Sequence, residues 1–169
     1  MRQVIEDTKK PFFHRLPVVI TDPRGIYMKA SARNQFTGTI SEVRIGAVNA
    51  EVHVALKGGE TIVASITKES VETLAIRTGM EVIALVKAPH IIIVTDFGGY
   101  RLSARNQLQG TVTRVTPGAV NAEVDIELAD GEQIAATVTN DSVEKLGLRA
   151  GQPATAVFKA GSVILSAAG

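Results

Sequence analysis

Residues 50–57, AEVHVALK, set an apolar side chain at every second position and end at Gly58-Gly59-Glu60. An alternation of period two puts one row of side chains on each face of a strand, and a Gly-Gly pair suits a hairpin into the returning strand TIVASIT (61–67). Upstream, FTGTISEVRI (36–45) also alternates, and Gly38 inside it predicts a bend or bulge. In TKESVETLAI (67–76) the period changes. Val71, Leu74 and Ala75 fall at i, i+3 and i+4, which predicts a short helix with Thr67 as its N-cap and Gly79 closing the segment. MEVIALVK (80–87) and HIIIVTD (90–96) then predict two more strands. The order β-β-β-α-β-β matches a small five-stranded OB-like barrel, an architecture that leaves few exposed sheet edges.

The same order is written twice. GTVTRV, AEVDIELA, QIAATVT, NDSVEKLG, QPATAVFK and SVILSA repeat it, and Ser31/Ser103, Gly46/Gly118, Thr67/Thr139 and Lys87/Lys159 are each 72 positions apart. A constant offset at four landmarks means no net insertion between them, so the copies are superimposable units. The expected fold is all-β with short helices, as tandem OB-like five-stranded barrels. The first domain is expected at 29–96 and the second at 101–169, joined by FGGY (97–100), whose paired glycines suit a turn. Residues 1–28 are an N-terminal extension or a strand and linker, since VVITDPRGIYMKASARN echoes IIIVTDFGGYRLSARN. A unit of about 70 residues is small for independent stability, which predicts packing against its twin or another chain.

Composition narrows the chemistry. Hydrophobic residues make up 45% and aromatics 4%, with no tryptophan, so the core is aliphatic and largely β-branched. Eighteen basic against seventeen acidic residues leave a net charge of +1, which removes a global electrostatic case for nucleic acid and makes any anion site local. Cysteine is absent, excluding disulfides, thiolate metal sites and a thiol nucleophile. Residues 1–20 lack the apolar core of a signal peptide, and no run approaches the roughly 18 apolar residues of a spanning helix, so a soluble, cytoplasmic protein is expected. His14, His53 and His90 have no partner at ligand spacing, and Asp125 and Ser162 replace the latter two in the second copy, so no metal site is expected. No catalytic triad order, phosphate loop or acid/base carboxylate pair emerges, and an enzyme is not expected.

Three groups in each copy form one candidate site. The first is Ser31, Ala32, Arg33 and Asn34, repeated as Ser103, Ala104, Arg105 and Asn106. The second is Thr67 and Ser70 at the helix start, repeated as Thr139 and Ser142; the third is Lys87 with Ala88, repeated as Lys159 with Ala160. Hydroxyls, helix-start amides, guanidinium and ammonium all donate, and a tetrahedral oxyanion that stays deprotonated near neutral pH offers only acceptors. Glu69 and Asp141 lie inside the T-x-x-S words and must point outward for such a site. Each group also has a plain structural reading. Thr-x-x-Ser caps a helix, Lys87 is a strand-end charge, GAVNAEV is a turn with Asn49 and Asn121 accepting backbone hydrogen bonds, and Arg33 braces a barrel end by a salt bridge.

SARNQFTGTI, GAVNAEV, SITKESVETLAI and VIALVKAPHIII, in tandem, resemble the Mop domain of molybdate-binding proteins, and residues 29–168 resemble a di-Mop molbindin. The resemblance implies an OB-like fold and binding of molybdate, with tungstate as a further ligand, between neighbouring domains. The metal enters only as an oxyanion without direct protein ligands, and no organic cofactor is implied. Carried over by position, Ser31, Arg33, Lys87 and Ala88 lie on one side of a site with Thr67 and Ser70 from a facing domain. Ser103, Arg105, Lys159 and Ala160 likewise face Thr139 and Ser142. Further anion sites near a symmetry axis would involve Ala47, Val48 and Asn49, and Ala119, Val120 and Asn121. Divergence of KAPH to KAGS implies two classes of site.

The expected function is intracellular storage, buffering or delivery of molybdate by a homo-oligomer, a trimer for a molbindin. The related reading is the ligand-sensing module of a molybdate-responsive transcription regulator, for which a dimer is expected; 28 leading residues are too few for its DNA-binding domain. A single-stranded nucleic-acid binder is the reading from another class, and five Phe, two Tyr and no Trp count against the stacking platforms it needs.

Overall fold

The computed structural model describes residues 29–169; the expectations for residues 1–28 lie outside them. In the first copy, strands β1 (Asn34–Ile45), β2 (Asn49–Leu56) and β3 (Thr61–Thr67) lead into helix α1 (Lys68–Thr73). Strand β4 (Glu81–Val86), a 3-10 turn (Ala88–His90) and strand β5 (Ile92–Val94) follow. The second copy repeats the series as β6 (Asn106–Pro117), β7 (Asn121–Leu128), β8 (Gln133–Thr139), α2 (Asn140–Leu146), β9 (Pro153–Phe158), a 3-10 turn (Ala160–Ser162) and β10 (Ile164–Ala167). All five strands and the helix read from each copy are present. None of the described helices is long and apolar enough to cross a membrane.

The fifth strand of each sheet comes from the other copy. The hydrogen-bonded orders are β10-β4-β1-β2-β3 and β5-β9-β6-β7-β8, with every pairing antiparallel. Ile92 to Val94 lie opposite Val157 to Thr155, and Ile164 to Ala167 lie opposite Leu85 to Val82. The units are therefore interleaved, where the repeat alone predicts two self-contained barrels. The apolar pattern could not decide this. Ile91 and Ile93 are buried, as are Val163 and Leu165, and either pair would fit either sheet. One aliphatic core runs through both copies, from Phe36, Val52 and Ile62 to Val124, Ile134 and Phe158, and Ser31–Gly169 form one compact unit.

Two buried asparagines fasten the interleaved halves. Asn34 is 2% exposed and donates from Nδ2 to the Ala135 carbonyl (2.9 Å) and the Val86 carbonyl (3.2 Å), while its Oδ1 accepts from the Ala135 N–H (2.7 Å). Asn106, 1% exposed, treats Val63 the same way, donating to its carbonyl and accepting from its N–H at 2.8 Å each. A side-chain amide thus replaces the neighbouring strand that β3 and β8 lack at these residues, satisfying buried backbone groups that would otherwise be costly.

The bend read at Gly38 has two parts. The register shift lies between Ile40 and Glu42, and its counterpart between Val112 and Arg114. Gly38 itself is a close approach: a Cβ there would stand 2.6 Å from the Ala55 carbonyl oxygen, and one at Gly110 would stand 2.4 Å from that of Glu127. Helix α1 also ends earlier than expected. Ala75 closes it in the left-handed region at φ 50°, where the second copy has Gly147 at φ 59°. Gly79 instead serves the turn into β4, its N–H bonding the Ile40 carbonyl (2.8 Å).

Two outcomes follow for stability, both read by denaturant unfolding. Ala75→Gly relieves a left-handed alanine costing roughly 1–2 kcal/mol but loosens the unfolded chain by about 0.4–1 kcal/mol. A net gain of about 0–1.6 kcal/mol is expected, and a loss would contradict this. Asn106→Ala strands the Val63 amide and carbonyl, with an expected cost of about 1–3 kcal/mol; an unchanged midpoint would show that the clamp carries nothing.

Candidate functional site

The ladder of β2 and β3 decides which groups meet. Asn49 lies opposite Thr67, Glu51 opposite Ser65 and His53 opposite Val63, so alternate residues of both strands share one face. The second copy sets Asn106 along the β3 edge, bonded to the Val63 main chain, and brings Arg105 to this face, its guanidinium forked onto Glu51 with Nη1–Oε2 at 2.7 Å and Nη2–Oε1 at 3.1 Å. Farther along, an open groove of about 430 Å³ is lined by Asn49, Ser65, Thr67 and Ser70 with Ile66 and Leu74 from the first copy, and by Gly161, Val163, Ile164 and Leu165 from the second. The groups brought together within one chain are therefore crossed: the hydroxyl pair of the first copy shares a groove with the lysine-led turn of the second, and the second copy's arginine reaches Glu51 on the same strand pair.

The mirror set follows the same rule. Arg33 donates from Nη2 to Glu123 Oε2, Asn34 clamps Ala135, and β8 packs against the Ala88–His90 turn, which begins beside Lys87 and ahead of Thr139 and Ser142. Strand exchange is the reason for this crossing within the chain. The turn that precedes β5 must travel with β5 into the other sheet.

Some candidate donors are already used. In α1 the Ser70 N–H is taken by Thr67 Oγ1 (3.0 Å) and the Lys68 N–H by the Val48 carbonyl (2.9 Å). In α2 the Ser142 N–H goes to Thr139 Oγ1 (3.1 Å) and the Asn140 N–H to the Val120 carbonyl (3.0 Å). Helices of six and seven residues have little macrodipole. The hydroxyls are paired Oγ1 to Oγ at 2.8 Å in both copies, so one hydroxyl proton of each pair is left to donate elsewhere. Asn34 and Asn106 belong to the inter-copy clamp, which spends both amide protons of Asn34.

Ser31, Ser103, Lys87 and Lys159 are exposed, Ala88 is buried, and Ala160 is half-buried. The carbonyls of Ala32 and Ala104 accept from Gln35 and Gln107, bracing the segments that carry the arginines. Glu69 is exposed, and Asp141 is exposed and pairs with Lys145 at 2.8 Å, four residues along the helix surface. In the GAVN turns the main-chain carbonyls of Asn49 and Asn121 accept from Gly46 and Gly118 (2.8 Å each). The turn tips expose Val48 (73%) and Val120 (72%), with Ala47 and Ala119 exposed beside them.

Sequence reasoning missed Glu51 and Glu123. They stand in NAEV of both copies at the same offset of 72, so the signal was available, but the alternation assigned them to a solvent face. His53 Nε2 lies 2.7 Å from Glu51 Oε1, and this bond, then the Arg105 fork, holds the Glu51 carboxyl below its ordinary pKa. Glu42 is lowered by its hydrogen bond to Arg44, whose own value that bond raises. Among the described residues no group of three His, Cys, Asp or Glu stands close enough to hold a metal ion.

Comparison with known proteins agrees with this architecture. The family described as the TOBE domain matches residues 30–93 and again 102–165. A crystal structure of the cytoplasmic molybdate-binding protein ModG, with molybdate bound, is 51% identical, covers 83% of this chain and all of its own, and superimposes with a TM-score of 0.82. The molybdenum transport protein ModE of Herbaspirillum seropedicae is 43% identical over 158 residues, 94% of this chain and 59% of that protein. The molybdenum-pterin-binding protein MopA of Rhodobacter capsulatus is 42% identical over 82% of this chain and 52% of its own length. The chain spans little more than half of these curated relatives, whose names describe binding and transport proteins, not enzymes. With both copies matched, the chain belongs to the TOBE domain family, as a tandem pair of such domains.

Proposed function

We propose that this protein binds molybdate, and tungstate through the same donors, in sites completed across its two copies, as an intracellular molybdate store, buffer or carrier in the cytoplasm. The observation that carries the reading is the crossed convergence. The Thr67–Ser70 hydroxyls and the segment around Gly161 wall one groove, while Arg105 docks on the same β2–β3 face. A dianion with four acceptor oxygens needs several donors from different directions, and the hydroxyl, guanidinium and ammonium groups of this set are donors of that kind. ModG, which is matched over its whole length, was crystallised with molybdate. Arg33, Ser31, Lys87 and Ala88 act with Thr139 and Ser142; Arg105, Ser103, Lys159 and Ala160 act with Thr67 and Ser70.

The domains are 29–96 and 101–169 in sequence, joined by 97–100. Assembly is as a trimer of chains. Ile45, Val48, Val120, Ile92 and Ile164 stand exposed on the surface, and apolar side chains of that size are the material of subunit contacts. The Ala47–Asn49 and Ala119–Asn121 turns lie at such a contact and form the further anion sites. A second reading, the ligand-sensing part of a transcription regulator, is favoured by one observation: ModE proteins match at similar identity. That reading calls for a dimer.

Calorimetric titration with molybdate, tungstate, sulfate and phosphate tests the reading. Heat is expected for the first two, and folded protein giving none with either would overturn it. Arg33→Ala and Arg105→Ala each remove a charge-assisted donor worth about 1.5–3 kcal/mol, so the site concerned weakens by roughly tenfold or more and the bound stoichiometry falls. Unchanged stoichiometry in both variants would place the sites elsewhere. Light scattering should give three chains per particle; a particle of two favours the regulator reading.

A further inference from the structure

Each arginine of the proposed sites is already held by a carboxylate of the opposite copy. Arg105 grips Glu51 through a two-bond fork, and Arg33 grips Glu123 through Nη2. Neither pair is sealed from water: the arginine side chains are about half exposed (50% and 47%) and the glutamates about a quarter (27% and 26%). A carboxylate and an oxyanion require the same N–H donors of the guanidinium. A tethered carboxylate also presents itself at a high effective concentration. Placed there, it competes with any free anion.

We propose that Glu51 and Glu123 are built-in competitors that set the affinity of the two sites, occupying Arg105 and Arg33 until an oxyanion displaces them. This rests on the oxyanion-binding reading above and adds residues of opposite sign to its donor set. An incoming dianion offers more charge than one carboxylate, so it wins the arginine at sufficient concentration, whereas a weakly held monoanion does not. The competitor thereby filters ligands by charge as well as by size.

The two competitors are not equivalent. Glu51 divides its charge between the Arg105 fork and His53 Nε2 at 2.7 Å, with Arg44 Nη1 at 3.9 Å. At the position equivalent to His53 the second copy has Asp125, which pairs with Arg114 at 2.7 Å.

Glu51→Gln and Glu123→Gln keep shape and one acceptor oxygen while removing the charge. In the full chain, titrated with molybdate at one low ionic strength, each variant should tighten one set of sites roughly two- to fivefold. In an Arg105→Ala background the Glu51→Gln effect should vanish. Without anion, Glu51→Gln should melt no higher than the parent, yet gain more in Tm on adding molybdate. A carboxylate that only positions the arginine predicts the reverse, weaker binding and a smaller gain. That result, or an unchanged affinity in both variants, would overturn the proposal while leaving molybdate binding intact. A parent protein that binds no molybdate would overturn both, and arginine variants with full stoichiometry would show that these carboxylates guard no site.

Discussion

A five-stranded antiparallel sheet that takes its outer strand from another part of the chain is incomplete until that part has arrived. Here the condition applies twice and reciprocally: β10 completes the sheet of β1 to β4, and β5 completes that of β6 to β9. Much else follows from this exchange. The turn ahead of each exchanged strand is carried to the facing copy, which sets a lysine-led turn against the other copy's hydroxyl pair. The asparagine clamps and the Arg–Glu pairs then lie between copies, since the segments that bear them lead into β1 and β6 beside the crossing point. Paired contacts keep the 72-residue offset: Asn34 with Ala135 and Asn106 with Val63, Arg33 with Glu123 and Arg105 with Glu51. The molecule is thus organised about a pseudo-twofold relation between its halves.

Local features were legible because they depend on neighbours in sequence. Period-two alternation located β2, β3, β7 and β8, and Thr67 and Thr139 cap their helices as their spacing to Ser70 and Ser142 predicts. The same words also named the site groups. Their partners were not legible, because strands of equal length and equal burial pattern can be exchanged without altering any local signal. Asn34 illustrates the difference. Beside Arg33 it resembles another polar ligand, and only its distance to Ala135, 101 residues away, makes it a clamp. Gly38 is a milder case: a bend was correctly sensed, but the glycine is required by the close Ala55 carbonyl while the register shift falls after Ile40.

The plain structural readings of the candidate residues also describe the molecule. The T-x-x-S words are caps, and Arg33 and Arg105 are in salt bridges. The caps prepare the hydroxyls for an anion, whereas the salt bridges occupy the guanidinium groups until an anion displaces the carboxylates. A capped hydroxyl pair is held in one orientation, and each guanidinium, itself about half exposed, is held at the surface without being buried. Exposed ion pairs of this kind contribute only about 0.2–1 kcal/mol, so exchanging the carboxylate for a dianion costs little stability. The Asn clamps, being buried, are the part of each interface that stays fixed while the ligand changes.

The account stands on oxyanion sites assembled from crossed halves of one chain, and anomalous diffraction from crystals loaded with tungstate tests that most directly. The predicted result is strong tungsten peaks in the groove between Thr67–Ser70 and the Gly161 turn, and in its counterpart between Thr139–Ser142 and the Lys87 turn. Peaks confined to the Ala47–Asn49 and Ala119–Asn121 turns, or no ordered tungsten at all, would contradict it.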